Sequence, residues 1–140
     1  MLWVEDDADD VFIAQRAFVK AGMPAPVVAR DGEEALAYLK GEGAFADRKL
    51  HPMASLVLLD LKLPRISGLE LLRRIRRDPA LRHLPVIIHS SSGEFHDIEA
   101  AYASGASAYL VKSIDIARFC EMLKALRAFW MTFNRTAERF

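Results

Sequence analysis

The chain has 140 residues, enough for one domain with a substantial core, and its 19 basic residues balance 19 acidic ones. That balance leaves no global field to draw it to nucleic acid or to a membrane surface. A lone Cys120 allows no intrachain disulfide, and no apolar run reaches the roughly 20 residues of a membrane span, so a cytoplasmic soluble domain is the expectation.

The predicted elements alternate along the chain. LWV is a very short first strand. Only four residues precede Glu5, against about five to six in a typical strand, so either the start lies late or an edge strand is short. A first helix is predicted over about Asp9 to Ala21, with an acidic first turn that suits the helix dipole and a stop at Gly22 and Pro24. PVVAR is the second strand, and a second helix opens at Asp31-Gly32 and runs to about Gly41. Residues 42–54 form a long loop. SLVLLDL, apolar almost throughout as a strand covered on both faces should be, is the third strand. KLPRISG is a loop, and a third helix runs from about Leu69 to Arg77. PVIIH is the fourth strand, a fourth helix lies between Gly93 and Ser104, SAYLV is the fifth strand, and a final helix runs from near Asp115 toward Phe140. This order predicts an α/β fold: a doubly wound, five-stranded parallel sheet with five helices, in a single domain over residues 1–140.

Polar residues end four of the apolar runs: Glu5-Asp6, Asp60, Ser90 and Lys112. In a parallel sheet these side chains converge outside the carboxyl ends of the strands, where open α/β sheets bind ligands. Crowded together, the three carboxylates repel one another, and a Mg²⁺ ion with its preference for oxygen ligands relieves that. Three acids, a divalent cation and one lysine come near neutrality, a setting suited to an incoming phosphoryl group. Asp60 ends the middle strand and is the natural nucleophile, since aspartate can carry a phosphoryl as an acyl phosphate. Singly, each residue has an ordinary reading as a helix cap, a loop serine or an edge lysine, and Asp7, Asp9 and Asp10 are read as caps or exposed acids. The joint pattern carries the assignment.

The segments VEDD, LLDLKLPRISG, LPVIIHSSS and GASAYLVKS resemble a response-regulator receiver domain, and the match spans nearly the whole chain. The resemblance implies a flavodoxin-like sheet of order 2-1-3-4-5. It implies that Asp60 accepts a phosphoryl group from a histidine kinase. Asp6 would ligate Mg²⁺ directly, Glu5 through water, and Lys62 through its backbone carbonyl. Ser90 would swing to the phosphoryl oxygen, Tyr109 would turn inward after it, and Lys112 would pair with the phosphoryl. Such a chain is a signalling protein, not an enzyme, although it takes part in its own phosphotransfer and dephosphorylation.

Two departures from the family pattern bear on function. Most receivers place a proline with a cis bond after the lysine; here Ser113 follows, where a cis bond costs about 2.5–4 kcal/mol against about 0.5–1 before proline. Lys62, two residues after the acceptor, together with Ser92, is expected to tune the acyl-phosphate lifetime. The Lys-Ser pair, the long loop after the second helix and the Phe129-Trp130 pair resemble single-domain regulators partnered with bacteriophytochrome histidine kinases. A phosphorelay intermediate or phosphate sink is an alternative within the fold. A Mg²⁺-dependent phosphatase with an aspartyl intermediate is the alternative from another class, disfavoured because Lys62 stands where a general-acid aspartate is needed. A non-phosphorylated scaffold is disfavoured by the intact pocket.

The final helix carries two apolar stripes, Phe119, Leu123, Leu126, Trp130 and Met122, Leu126, Phe129, Phe133. One suffices to cover a sheet. The bland reading packs the second on a neighbouring helix. The sharper one makes Phe119, Met122, Phe129, Trp130 and Phe133 a dimer interface, with residues from about 129 to 140 as an extension beside a helix 4–strand 5–helix 5 surface. The run Arg73, Arg74, Arg76, Arg77 is expected to be a solvated helix face, not a nucleic-acid site. Phe12, Ile13 and Phe18 are expected in the core, and His89 is expected to be packed or at the dimer rim.

Overall fold

The computed structural model describes residues 1–137. Its elements are β1 (Leu2–Val4), α1 (Ala8–Lys20), β2 (Val27–Ala29), α2 (Gly32–Lys40), β3 (Val57–Leu59), α3 (Gly68–Arg77), β4 (Val86–Ser90), α4 (Phe95–Ala103), β5 (Ala108–Val111) and α5 (Ile116–Leu126). A single tight turn, Gly43–Phe45, interrupts the long loop after α2. All strand pairings are parallel and the order is β2-β1-β3-β4-β5, as the family resemblance implies. The three-residue β1 lies inside the sheet between β2 and β3, so it is not the short edge strand considered from the sequence.

Side chains alternate between two layers, as strand geometry demands. Leu2, Val4, Leu59 and Ile88 face α2 and α3, where Tyr38, Leu71, Leu72 and Ile75 are buried against them. Trp3, Leu58 and Ile87 face α1 and α5, meeting Phe18, Phe119 and Leu123. Ring centroids of Trp3 and Phe18 lie 5.4 Å apart, and those of Phe18 and Phe119 lie 5.9 Å apart in an edge-on arrangement. Side chains cap four helices: Asp7 accepts from the amides of Asp9 and Asp10, Asp31 from Glu34, Ser67 from Glu70 and Asp115 from Ala117.

Several expectations about packing are corrected. Phe18 is core, but Phe12 and Ile13 are 74% and 55% exposed, because α1 turns Ala14, Ala17 and Phe18 toward the sheet. Phe119, expected at a dimer interface, is only 7% exposed and belongs to the inner layer. Arg76 is not part of a solvated face. Its guanidinium donates to the carbonyls of Gly105 at 2.8 Å and Leu84 at 2.7 Å, supplying donors where α4 and the turn before β4 leave carbonyls unpaired. The final helix does not run on toward Phe140. After Leu126 it widens into a π-helical stretch, Arg127–Phe133, and the backbone becomes extended at Asn134. The rest of the predicted extension, beyond residue 137, lies outside the described residues.

Gly68 opens α3 where the loop after β3 folds back on itself. A methyl group added there would lie 2.2 Å from the Asp60 carbonyl oxygen. Only glycine permits that approach, which holds α3 against the end of β3. Gly68→Ala is expected to cost about 1–3 kcal/mol by overpacking, seen as a lower urea midpoint at unchanged slope.

Candidate functional site

The strand ends deliver the predicted constellation. Glu5 and Asp60, just past β1 and β3, are buried; Asp6 is exposed; Ser90 ends β4 in a buried position; Lys112 follows β5, half-buried. Carboxylate oxygens of Glu5, Asp6 and Asp60 all lie within 4.8 Å of one another. Lys112 Nζ donates to Glu5 Oε1 at 2.8 Å and to Asp60 Oδ2 at 2.7 Å. The other Asp60 oxygen accepts from the Lys62 amide at 3.2 Å. The Lys112 amide donates to the Ser90 carbonyl at 2.7 Å, and the Lys112–Ser113 peptide is trans.

Two buried acids beside one ammonium do not share charge equally. Burial, reinforced by a hydrogen bond with Asp60, pushes the Glu5 carboxyl up to about 8, with Lys112 opposing. Burial would raise Asp60 as well, but hydrogen bonds from Glu5 and Lys112, and the lysine charge, outweigh it and hold Asp60 below its ordinary value. The two carboxyls titrate as a pair, in which burial favours the neutral form of Glu5 and the Lys112 contacts favour the ionised form of Asp60. Lys112, which burial alone would depress, is raised by its bonds to Asp60 and Glu5.

Glu5 Oε2 is buried and makes no hydrogen bond. A free carboxylate oxygen within reach of two more carboxylates is a donor set for a hard divalent cation, so the residues fit one. Such an ion would compete with protons for these carboxylates.

The structure brings the remaining predicted residues near this centre in different ways. Ser90 Oγ accepts from the Ser92 amide at 3.2 Å. Tyr109 is half-buried against the α2–α3 layer, and its hydroxyl donates to the Ser92 carbonyl at 2.7 Å. The Lys62 side chain is exposed. Among the interface candidates, Met122 and Trp130 are half-buried against the α1–α5 layer, whereas Phe129 and Phe133 stay 55% and 74% exposed.

His89 is packed, one of the two placements expected of it, while the ties of Arg65 and Ser92 escape sequence reasoning. His89, one residue before Ser90, is 5% exposed and stacks on Phe119 at 5.5 Å, with neither ring nitrogen hydrogen-bonded. It lines a cleft of about 440 Å³ beside the carboxylates, together with Trp3, Ile13, Ile114 and Phe119. Its strand alternation with Ile87 could have placed it on the α1–α5 side. Arg65 has a φ of 68° and pairs with Asp31 at 2.7 Å and Glu33 at 3.4 Å, tying the loop after Asp60 to the start of α2. Ser92, expected to tune the phosphoryl lifetime, bonds through its hydroxyl to Asp97 in α4.

A doubly wound sheet with this acid–lysine centre defines a phosphoryl-receiving signalling domain, and comparison with known proteins agrees. Residues 1–124 match the response regulator receiver domain, and the chain belongs to that family. It is 33% identical over 138 residues to the probable methanogenesis regulatory protein FilR2 of Methanothrix harundinacea, covering 97% of this chain and 86% of that one. It is 30% identical over 132 residues to response regulator Rcp1 of Synechocystis, covering 94% and 88%, and it superposes on the Mn²⁺-bound form of Rcp1 with a TM-score of 0.80. Response regulator RPA3017, in red light signaling of R. palustris, is 37% identical, with a TM-score of 0.90 and coverage of 99% and 98%. Among the described residues no helix is long and apolar enough to cross a membrane.

Burial, helped by the Lys112 charge and opposed by Asp60, pulls His89 down to about 4. Its folded value lies below its unfolded one, so this contribution to stability is complete above about pH 6.5 and is lost as pH falls toward 4. The loss from His89 is expected to reach about 2 kcal/mol by pH 4.5. Urea titrations at pH 7 and 4.5 check it: His89→Leu should lose less stability than wild type over this interval.

Proposed function

We propose that this protein is a two-component response regulator whose Asp60 takes a phosphoryl group from the phosphohistidine of a kinase. The observation that carries the reading is the Lys112 ammonium bridging Glu5 and Asp60 at the sheet edge, with Ser90 at the next strand end. Asp60, ionised and held by the Lys62 amide, attacks phosphorus in line; the P–N bond breaks, and the kinase imidazole leaves with the electron pair. Lys112 can exchange its bond to Asp60 for one to a phosphoryl oxygen, and the Ser90 hydroxyl can donate to another. Mg²⁺ is the proposed cofactor, held by Asp6 and Asp60, by Glu5 directly or through water, and by the Lys62 carbonyl. When bound, it supplies positive charge against the phosphoryl oxygens.

The proposed kinase is of the phytochrome type, supported by likeness to the red-light regulator RPA3017 and by the Lys-Ser pair, long loop and Phe-Trp pair. The role is that of a cytoplasmic signalling switch; Lys62 in place of a second aspartate argues against a turnover phosphatase. Phosphotransfer profiling tests this: the wild-type chain is expected to take phosphoryl from phytochrome-type kinases in preference to others, and Asp60→Asn to lose roughly 10²-fold or more of the rate. Transfer to Asp60→Asn at the wild-type rate sinks the acceptor assignment, and sustained hydrolysis of small phosphate esters would favour the phosphatase.

The chain is also proposed to form a homodimer through α4, β5 and α5 with the C-terminal extension. Phe95, Tyr102 and Val111 are exposed on the first part of this surface, and Phe129 and Phe133 on the last. Sedimentation should show a dimer at micromolar protein and a shift to monomer in Phe133→Glu; monomer alone, with or without a phosphoryl mimic, would reject the interface.

A further inference from the structure

Every polar group of Ser92 is engaged, and each engages a different part of the fold. Its amide donates to Ser90 Oγ at 3.2 Å. Its carbonyl accepts from the Tyr109 hydroxyl at 2.7 Å. Its hydroxyl donates to the Asp97 carboxylate and accepts from the Glu94 amide at 3.3 Å. Asp97 lies in the first turn of α4, and its other oxygen meets His96 Nε2 at 3.3 Å.

The last two bonds matter because α4 is poorly anchored. The other four α-helices are capped at their N-termini by their own Asp or Ser side chains, whereas Glu94 at that position of α4 makes no side-chain cap bond. Ala101 is the one fully buried residue of α4. Without a cap and with little buried surface, the first turn of α4 has low local stability unless something outside the helix holds it. Ser92 does so from two residues before the helix-capping position: it satisfies one orphan amide and fixes one first-turn carboxylate.

We infer that Ser92 is the positioning residue that transmits the state of Ser90 to α4, by holding the first turn of that helix while its own amide is held by the switch hydroxyl. The inference rests on the acceptor reading above. When Ser90 turns to a phosphoryl oxygen, the Ser92 amide loses its partner and the 90–92 turn is free to shift. The Tyr109 hydroxyl, bonded to the Ser92 carbonyl, ties this turn to β5, so the shift is steered between β5 and α4. The first turn of α4 then loses the Ser92 hydroxyl and loosens, which alters the surface that α4 shares with β5.

Hydrogen exchange at the amides of residues 94–98 tests this in the full chain, with Mg²⁺ alone or with Mg²⁺ and beryllium fluoride as the phosphoryl mimic, uptake being read separately by fluorine NMR. In wild type, the mimic is expected to speed exchange at these amides roughly fivefold, the size of one lost helix cap. In Ser92→Ala, exchange should already be fast without the mimic and should not respond to it. Ser92→Thr, which keeps the hydroxyl, should behave as wild type; a response in Ser92→Ala equal to wild type, from the same slow baseline, overturns the inference. Uptake by wild type with unchanged exchange overturns the relay alone, whereas no uptake overturns the acceptor reading and the relay with it.

Discussion

One ammonium group organises the functional edge of this fold. Lys112 reaches from the end of β5 across to Asp60 and Glu5, spanning three strand ends with two hydrogen bonds. Without it, two buried acids would face each other with no counter-charge, at a cost the sheet edge could relieve only by protonation or rearrangement. With it, the pair has a counter-charge: the lysine opposes the rise of Glu5 and favours the ionised, nucleophilic form of Asp60. The lysine backbone serves the same end, since its amide bonds the Ser90 carbonyl and locks the last rung between β4 and β5. The position of the charge and the position of the switch hydroxyl are therefore set by one residue.

The same edge is kept in place from below by packing. Trp3, Phe18 and Phe119 form a ring cluster under β1, and His89 stacks on Phe119 beside it. The imidazole is an odd choice for that layer, because an apolar side chain would leave no ring nitrogens unpaired. Its neighbour Ser90 lies one residue further along the strand, so strand alternation turns the two side chains to opposite faces. Ser90 is thus held through the turn at Ser92, and His89 through α5.

What the sequence made legible was what a one-dimensional pattern can encode. An apolar run that ends in a polar residue marks a strand and the edge to which it points, so Glu5, Asp60, Ser90 and Lys112 were found without coordinates. Helix phase was less legible. Phe119, Phe129 and Phe133 all belong to apolar stripes of the last helix, yet only Phe119 meets the sheet. The others lie where the helix widens beyond the last strand contacts. In α1, Phe12 and Ile13 are as apolar as Phe18 but sit off the face set by Ala14 and Ala17. Arg76 looked like its arginine neighbours, and only the carbonyls of Leu84 and Gly105, brought close by folding, set it apart. The ties of Ser92 join side chains across a turn and follow no periodicity.

Arg65 carries a different kind of consequence. It is a non-glycine residue at positive φ in the loop that follows the acceptor, a conformation that costs about 1–3 kcal/mol. Its ion pair with Asp31 is largely exposed on the arginine side, and such pairs contribute about 1 kcal/mol at most. The contact offsets only part of the strain, and only the contact is screened by dissolved ions. The loop bearing Lys62 thus carries a strain that does not depend on the medium and a tie to Asp31, 34 residues away in sequence, that weakens as ionic strength rises.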